Sequence, residues 1–265
     1  MKEMTSLERC MAVLSGNIPD KLPVVPQCFM LAVETAGMKI SDVNKNGRKM
    51  AEAHFISQEK YGYDGCVIDF DDATIAEAVG AKVIFRDDEP AIVDESEPVR
   101  DVYDLPIPDP FTSGRLNECL EATRVLKEKI GDHVFIMGRA DQGPFSIACL
   151  LRGTTQFMMD LMTEDRQLIQ DVLDYCRKVS AVFAKAQKDA GAHATSIGDA
   201  LAGPNLISPE MYCDFAWEPE KRLAEEVQAY GIPFSIHICG NTNGIIKDMG
   251  MTGAKILEVD WMLDM

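Results

Sequence analysis

The sequence carries few positive charges for its length. Its 265 residues include 26 lysines and arginines against 43 aspartates and glutamates, which gives a formal net charge of −17. A surface with this charge repels nucleic-acid phosphates and anionic lipid headgroups. We therefore expect neither a nucleic acid nor a membrane among the partners of the protein.

Long apolar runs and a paired cysteine framework are also missing. The opening residues, MKEMTSLERCMAV, include charges and contain no apolar stretch long enough for a signal peptide or a membrane span. The eight cysteines are scattered along the chain, a pattern typical of reduced thiols in the cytoplasm. The sequence therefore predicts a cytoplasmic protein in which most cysteines are small buried side chains.

No glycine-rich phosphate loop follows the first predicted strand, which argues against a dinucleotide-binding fold. Instead, helix-like segments alternate with strand-like segments rich in β-branched residues, as in a parallel sheet buried on both faces. Six segments are predicted to be barrel strands, near residues 24, 67, 135, 195, 234 and 257. The segments AKVIF and AIV, which bracket RDDEP, could pair as a separate hairpin. One α/β domain would use the whole chain, residues 1–265.

Polar residues stand at the C-terminal ends of most of the predicted strands. In an α/β barrel these ends converge on one face, where the chemistry takes place. The sequence therefore predicts a (β/α)8 TIM barrel, and because closure needs eight strands, we expect a barrel truncated after the sixth. The strand-end residues are Asp69 and Asp71, Arg139 to Gln142, Asp199, His237 and Cys239, and Asp260.

The stretch GIPFSIHICGNTNG ends a predicted strand with His237 and Cys239. Side chains two positions apart on a strand point the same way, so the two should lie together. Imidazole nitrogen and thiolate sulfur are ligands of zinc, and catalytic zinc sites use three protein ligands and leave one position open. The spacing alone favours a buried cysteine beside a hydrogen-bonded histidine. Their place on the barrel face, before the turn at Gly240 and Asn241, makes the two interpretations about equal.

The whole chain resembles the uroporphyrinogen decarboxylase superfamily and, within it, the zinc-dependent corrinoid methyltransferases. The resemblance implies a (β/α)8 barrel in which His237 and Cys239 bind zinc. It also implies a third ligand, a cysteine nearer the C-terminus, which would fall after residue 265, and we therefore expect a fragment. The motifs that carry it are SLERCMAVLSGNIPDKLPVVP, DFDDATIAEAVGAKVIF, GRADQGPFSIACLLRG, GDALAGPNLISPEMYCDFAWEP, HICGNT and ILEVDW.

The decarboxylases of the superfamily are the alternative. They resemble one another in an arginine-rich segment that grips the carboxylates of their tetrapyrrole substrate, but the matching stretch here, PVVPQCFMLAVETAGMK, has no arginine. Asp71 corresponds to the aspartate that the decarboxylases place on the pyrrole nitrogens, although a helix cap would also explain it. Because the decarboxylases lack the His-x-Cys pair, the sequence favours the methyltransferases.

The resemblance implies an enzyme that moves a methyl group between cobalamin on a partner corrinoid protein and a small-molecule donor or acceptor. Bound zinc would hold a substrate thiol as the nucleophilic thiolate, or act as a Lewis acid in the reverse direction. Asp71, Asp199 and Gln142 are candidate catalytic residues, although tying loops together is the slightly favoured role of the last two. A partner-completed or inactive barrel piece remains a further alternative, because unpaired sheet edges need cover.

Overall fold

The computed structural model describes residues 3–99 and 101–263. Its strands are β1 (Gly65–Ile68), β2 (Val83–Ile84), β3 (Ile92–Val93), β4 (Phe135–Gln142), β5 (Ala194–Gly198), β6 (Phe234–Ile238) and β7 (Ile256–Val259). Its α-helices are α1 (Ser6–Leu14), α2 (Phe29–Thr35), α3 (Ile40–Val43), α4 (Gly47–Tyr61), α5 (Thr74–Val79), α6 (Leu116–Ile130), α7 (Pro144–Arg152), α8 (Thr154–Thr163), α9 (Arg166–Asp189), α10 (Pro209–Met211), α11 (Trp217–Ala229) and α12 (Ile246–Met251). Short 3-10 turns cover Val102–Asp104, Ala200–Ala202 and Thr242–Gly244, and a π-helical turn covers Tyr212–Ala216.

Five parallel strands, in the order β1-β4-β5-β6-β7, form a half-barrel. Each pairs with its neighbour in parallel register, so that Gly198 of β5 lies opposite both Gln142 of β4 and His237 of β6. The expected fold class, an α/β barrel built from part of the eight strands, is confirmed. The predicted hairpin is confirmed as well, since β2 and β3 pair antiparallel outside the main sheet.

The predicted strand near residue 24 is wrong. Residues 22–28 form no strand, and a helix, α2, begins at Phe29. Pro23 and Pro26 have no backbone N–H, so this segment cannot supply a ladder of donors to a neighbouring strand. One local link remains, in which Asp64 donates its N–H to the Val24 carbonyl and its carboxylate accepts the Val24 N–H. The sheet therefore has five of the six predicted strands among the described residues.

The two faces of the sheet bury different sets of side chains, because successive residues of a strand point to opposite faces. The larger core lies between the outer face and helices such as α4, α6, α9 and α11, and it includes Cys66 and Ile136. A smaller cluster on the inner face contains Val67, Phe135 and Met137, with α1 packed against it. In the described parts of the chain, every helix is too short or too polar to cross a lipid bilayer.

Local sequence signals set the helix ends that hold the strands in place. Thr5 caps α1 in a capping box with Glu8, as a threonine followed three residues later by a glutamate predicts. Asn46 caps α4 through its side chain. Helices α7, α8 and α9 are separated near Gly153 and Thr163, where the sequence predicts breaks. The ends of these helices could therefore be predicted from the sequence.

Candidate active site

The C-terminal ends of β1, β4, β5 and β6 border one cavity of about 580 Å³. This is the face on which polar strand-end residues were predicted to converge. Four of the five predicted site residues line the cavity: Asp71, Gln142, His237 and Cys239. Asp199 is not among the lining residues and is fully buried. The other lining residues include Asp69, Asp72 and Arg139, and an apolar wall of Phe29, Met30, Ala91, Ile92, Val93 and Leu150.

His237 and Cys239 face each other at the end of β6, with His237 Nε2 3.0 Å from Cys239 Sγ. The other ring nitrogen, Nδ1, lies 3.1 Å from the backbone oxygen of Glu258. A carbonyl can only accept, so Nδ1 carries the proton and the Nε2 lone pair faces the sulfur. Burial lowers the pKa of His237, and the Arg139 charge lowers it further, which favours the neutral imidazole that metals bind.

The chain reverses immediately after Cys239 because Gly240 has a φ of 85°, a left-handed conformation that favours glycine. Gly240 also donates its N–H to Asp260 Oδ2 at 3.0 Å. The turn leaves Cys239 exposed at the end of the strand rather than buried inside it. A nitrogen and a sulfur 3.0 Å apart fit a single ion, because zinc binds such atoms at about 2.0–2.3 Å. The residues present therefore fit a zinc ion, to which they would supply two ligands.

Asp71 is fully engaged in structural contacts. Its two carboxylate oxygens accept from the Nη1 and Nη2 atoms of Arg115 at 2.7 and 3.0 Å. Oδ1 also accepts the Ala73 N–H at 3.0 Å, just before α5 begins. Arg115 in turn binds Glu77 at 2.6 Å, and it is itself almost fully buried. These contacts join the loop after β1 to the start of α6.

Asp199 caps the start of α7 from the neighbouring strand. Its carboxylate accepts the N–H groups of Ser146 at 2.7 Å and Phe145 at 3.3 Å, and its own N–H donates to the His237 carbonyl at 2.8 Å. A Cβ at position 143 would overlap this carboxylate, so only glycine fits at this position of the loop. Burial raises the pKa of Asp199 to about 6, although the Ser146 and Phe145 donors oppose this. Asp199 thus ties the β5 loop to α7 and to the strand that carries His237.

Three carboxyl groups gather beside the cavity at Asp69, Asp72 and Asp141, with ligand oxygens within 4.8 Å of one another. Gln142 donates from Nε2 to Asp72 Oδ1 at 2.7 Å, and Ile75 donates its N–H to Asp141 Oδ2 at 2.6 Å. Burial raises the pKa of Asp69 well above its usual range, and the Asp141 charge raises it further. Burial also raises the pKa of Asp141 to about 8. Asp141 therefore holds its proton at neutral pH, so the group does not carry a full set of negative charges.

Asp141→Asn should make the stability of the protein less dependent on pH. The folded-state pKa of about 8 lies above the ordinary value of 3.8, so the folded state loses stability as pH rises between these values. Asparagine can still accept the Ile75 N–H and does not ionise. Between pH 5 and pH 8, urea unfolding should show the wild type losing more than about 1 kcal/mol relative to the variant. The fully exposed Asp132, changed to Asn, is the control, and identical pH slopes for Asp141→Asn and wild type would contradict the assignment.

A bulge in β4 brings Arg139 and Gln142 to the same face of the sheet. The β4–β5 register shifts between these residues, so that two residues of β4 oppose one of β5. Asp141, within the bulge, has a φ of 56° and is the non-glycine residue with positive φ in the described ranges. Three positions apart on a regular strand, Arg139 and Gln142 would point to opposite faces.

From the sequence, Arg139 and Asp141 were expected on the barrel face but were not proposed as site residues. Asp72 and Glu258 were not expected at the site. The bulge that re-aims Arg139 has no signature in the run FIMGRADQ, and Glu258 reaches the site only because β7 pairs with β6 opposite His237. One signal was present in the sequence: an arginine inside an otherwise buried strand must have a specific reason to be there.

Comparison with known proteins places the chain among two kinds of enzyme. A sequence profile described as Uroporphyrinogen decarboxylase (URO-D) matches residues 5–265. Methylcobamide:CoM methyltransferase MtbA from Methanosarcina mazei is 28% identical over 273 residues, which cover 100% of this chain and 78% of the relative. A uroporphyrinogen decarboxylase from Syntrophotalea carbinolica is 26% identical over 84% of this chain and 65% of the relative. A solved structure titled methyltransferase from Methanosarcina mazei has a TM-score of 0.87 and 27% identity, over 96% of this chain and 76% of the other.

Proposed function

The chain belongs to the uroporphyrinogen decarboxylase family, and from this premise we propose that it is a corrinoid-dependent methyltransferase of that family. It moves a methyl group between cobalamin, carried on a partner corrinoid protein, and a small thiol or methylated small molecule. The relatives named methylcobamide:CoM methyltransferases support this reading, since they cover nearly the whole chain.

The observation that carries the proposal is the His237–Cys239 pair at the cavity. Its two ligand atoms face each other at 3.0 Å, and the Nδ1 hydrogen bond to Glu258 fixes the tautomer that leaves Nε2 free for a metal. A bound zinc would lower the pKa of a substrate thiol and hold it as the thiolate nucleophile.

The other three candidate residues, Asp71, Gln142 and Asp199, position the site rather than react. Gln142 holds the Asp72 carboxylate, and Asp199 fixes α7 against the strand of His237. Asp71 sets the loop after β1 through its ion pair with Arg115. Apolar side chains of α2, β3 and α7 also line the cavity. We propose these three polar residues as positioning residues for the methyl-transfer site.

Methyl transfer from free methylcobalamin to a small thiol tests the proposal. The full-length gene product, loaded with zinc, should convert the thiol to its methyl thioether, which mass spectrometry detects. The loss of methylcobalamin absorbance should match the thioether formed, mole for mole. A protein that holds zinc but forms no thioether with any thiol, and removes no methyl group from a methylated donor, would contradict the proposal.

Decarboxylation of uroporphyrinogen is the second candidate function, favoured by the family profile. The sequence gives it little support, because residues 23–39 contain no arginine to bind substrate carboxylates. We expect no coproporphyrinogen when uroporphyrinogen is incubated with the full-length protein and the products are separated by chromatography. Measurable turnover would reverse the ranking of the two functions.

A further inference from the structure

Glu220, on α11, is a fully buried acid that lies outside the cavity described above. Its Oε2 accepts the hydroxyl of Tyr212 at 2.6 Å, and both residues are 0% exposed. Its Oε1 faces no N–H or hydroxyl donor in the described parts of the chain. A buried carboxyl oxygen without a hydrogen bond is costly to keep, so Oε1 requires another partner.

The side chain that approaches Glu220 is that of Asp199, in the loop after β5. The two carboxyl groups lie within hydrogen-bond distance of each other. Ionised carboxylates only accept hydrogen bonds, so this contact forms only if one of the two groups carries a proton. Two negative charges this close together, away from water, would also repel each other strongly. The pair therefore keeps a proton between its two members.

The surroundings of the two groups favour the proton on Glu220. Asp199 accepts the N–H groups of Phe145 and Ser146 at the start of α7, where backbone donors and the helix dipole stabilise a negative charge. Glu220 has only the neutral hydroxyl of Tyr212 as a donor among the described residues. Burial raises the pKa of Glu220 well above its usual range, and the charge of Asp199 raises it further. Glu220 is therefore the donor and Asp199 the acceptor.

A π-helical turn brings Tyr212 and Glu220 to the same side of their helix. The turn covers Tyr212–Ala216, and the N–H of Trp217 donates to the Tyr212 carbonyl five residues earlier. In a regular α-helix, residues eight positions apart point about 80° away from each other. Absorbing one extra residue in the π turn reduces this angle to about 20°. The wider turn thus places the hydroxyl against the buried acid, and such turns are frequent at functional sites.

Asp199 connects Glu220 to the candidate metal site. Its backbone N–H donates to the His237 carbonyl at 2.8 Å, and its carboxylate caps α7, from which Leu150 lines the cavity. We infer that Glu220 is a positioning residue of this site: it is protonated, and its Oε1–H donates to the Asp199 carboxylate and so fixes Asp199 between α7 and the end of β6. This inference rests on the proposed function for the role of His237 as a metal ligand.

Infrared spectroscopy of the metal-free protein tests the proton directly. At neutral pH, the wild-type spectrum minus that of Glu220→Gln should contain the C=O band of a protonated carboxylic acid, since glutamine keeps both hydrogen bonds but has no acid group. Glu226→Gln is the matched control, because Glu226 lies on the same helix and also accepts a tyrosine hydroxyl, from Tyr230, but is paired with Arg177. Its difference spectrum should contain a carboxylate band alone. The same result for a folded Glu220→Gln would overturn the inference.

Zinc affinity, measured by competition with a chromophoric chelator, tests the positioning role. Glu220→Met fills a similar space without either hydrogen bond, and it should weaken zinc binding by the folded protein roughly tenfold, as changes to residues that support a metal ligand do. Glu220→Gln should retain the wild-type affinity, because its amide donates to Asp199 in place of the acid. If Glu220→Met does not fold, Glu220→Asp replaces it, since the shorter acid cannot reach both partners. Equal zinc affinity in the folded variants with and without the hydrogen bonds would overturn the inference.

Neither measurement depends on methyl transfer. A protein that shows the carboxylic-acid band and the difference in zinc affinity, but transfers no methyl group, would refute the proposed function and support this inference. A protein that transfers methyl groups without the band or the difference would do the reverse.

Discussion

Changing His237 to alanine is expected to remove most of the zinc from the full-length protein and to lower methyl transfer by more than about 100-fold. Changes to residues that merely support a ligand already cost roughly 10- to 100-fold in metal affinity or activity. Loss of a ligand itself should cost more, because the remaining sulfur cannot hold the ion in place. Cys239→Ser should act in the same way, since a hydroxyl does not ionise to replace the thiolate. Elemental analysis of the purified variants measures the zinc directly.

Two matched variants show whether the loss is specific to the strand end. His133→Ala and Cys213→Ser change exposed residues of the same types outside the cavity, so the zinc content of both should equal that of the wild type. Equal zinc in His237→Ala and His133→Ala would show that the pair at the end of β6 is not the metal site.

Changing Asp71 to alanine should lower the free energy of unfolding by about 3–5 kcal/mol, the typical cost of leaving one partner of a buried ion pair alone. Arg115 would then keep its charge at 5% exposure, with the partly exposed Glu77 as its remaining carboxylate partner among the described residues. Urea unfolding measures the loss. The double variant Asp71→Ala/Arg115→Met should recover most of the stability, because an apolar side chain replaces the stranded cation.

This comparison also separates the two roles considered for Asp71. If the aspartate acts through its ion pair, activity should follow stability, and the double variant should regain part of both. A stable Asp71→Asn protein that has lost methyl transfer while keeping its zinc would instead show that the carboxylate takes part in the reaction.

The barrel strands were predictable where the sequence made backbone pairing possible. The runs CVI and FSI contain β-branched and aromatic residues and no proline, and they form part of β1 and β6. The run LPVVPQCF is equally apolar, but its two prolines interrupt the donor pattern, so the prediction failed there. Hydrophobicity marks a buried segment, whereas a strand also needs donors at regular spacing.

The site was predictable only to the extent that it follows strand periodicity. His237 and Cys239 obey the two-residue alternation, and the structure brings their side chains together as expected. Arg139 depends on a bulge, and the contact of Glu258 with Gln27 joins residues 231 positions apart. Neither is encoded in any short stretch. Asp199 was correctly considered as a residue that ties loops together, because an aspartate after a strand often accepts backbone N–H groups.

The close approach of Gly143 to the Asp199 carboxylate constrains how these two positions can change during evolution. Because a Cβ at position 143 would occupy the space of that carboxylate, neither position can change freely while the other keeps its residue. A lineage that acquires a side chain at 143 must also give up the side chain at 199, because even the Asp199 Cβ would lie 2.5 Å from the new Cβ, and the cap on α7 is lost with it. Either single change would destabilise the protein, so we expect relatives to keep Gly143 and Asp199 together or to lose both.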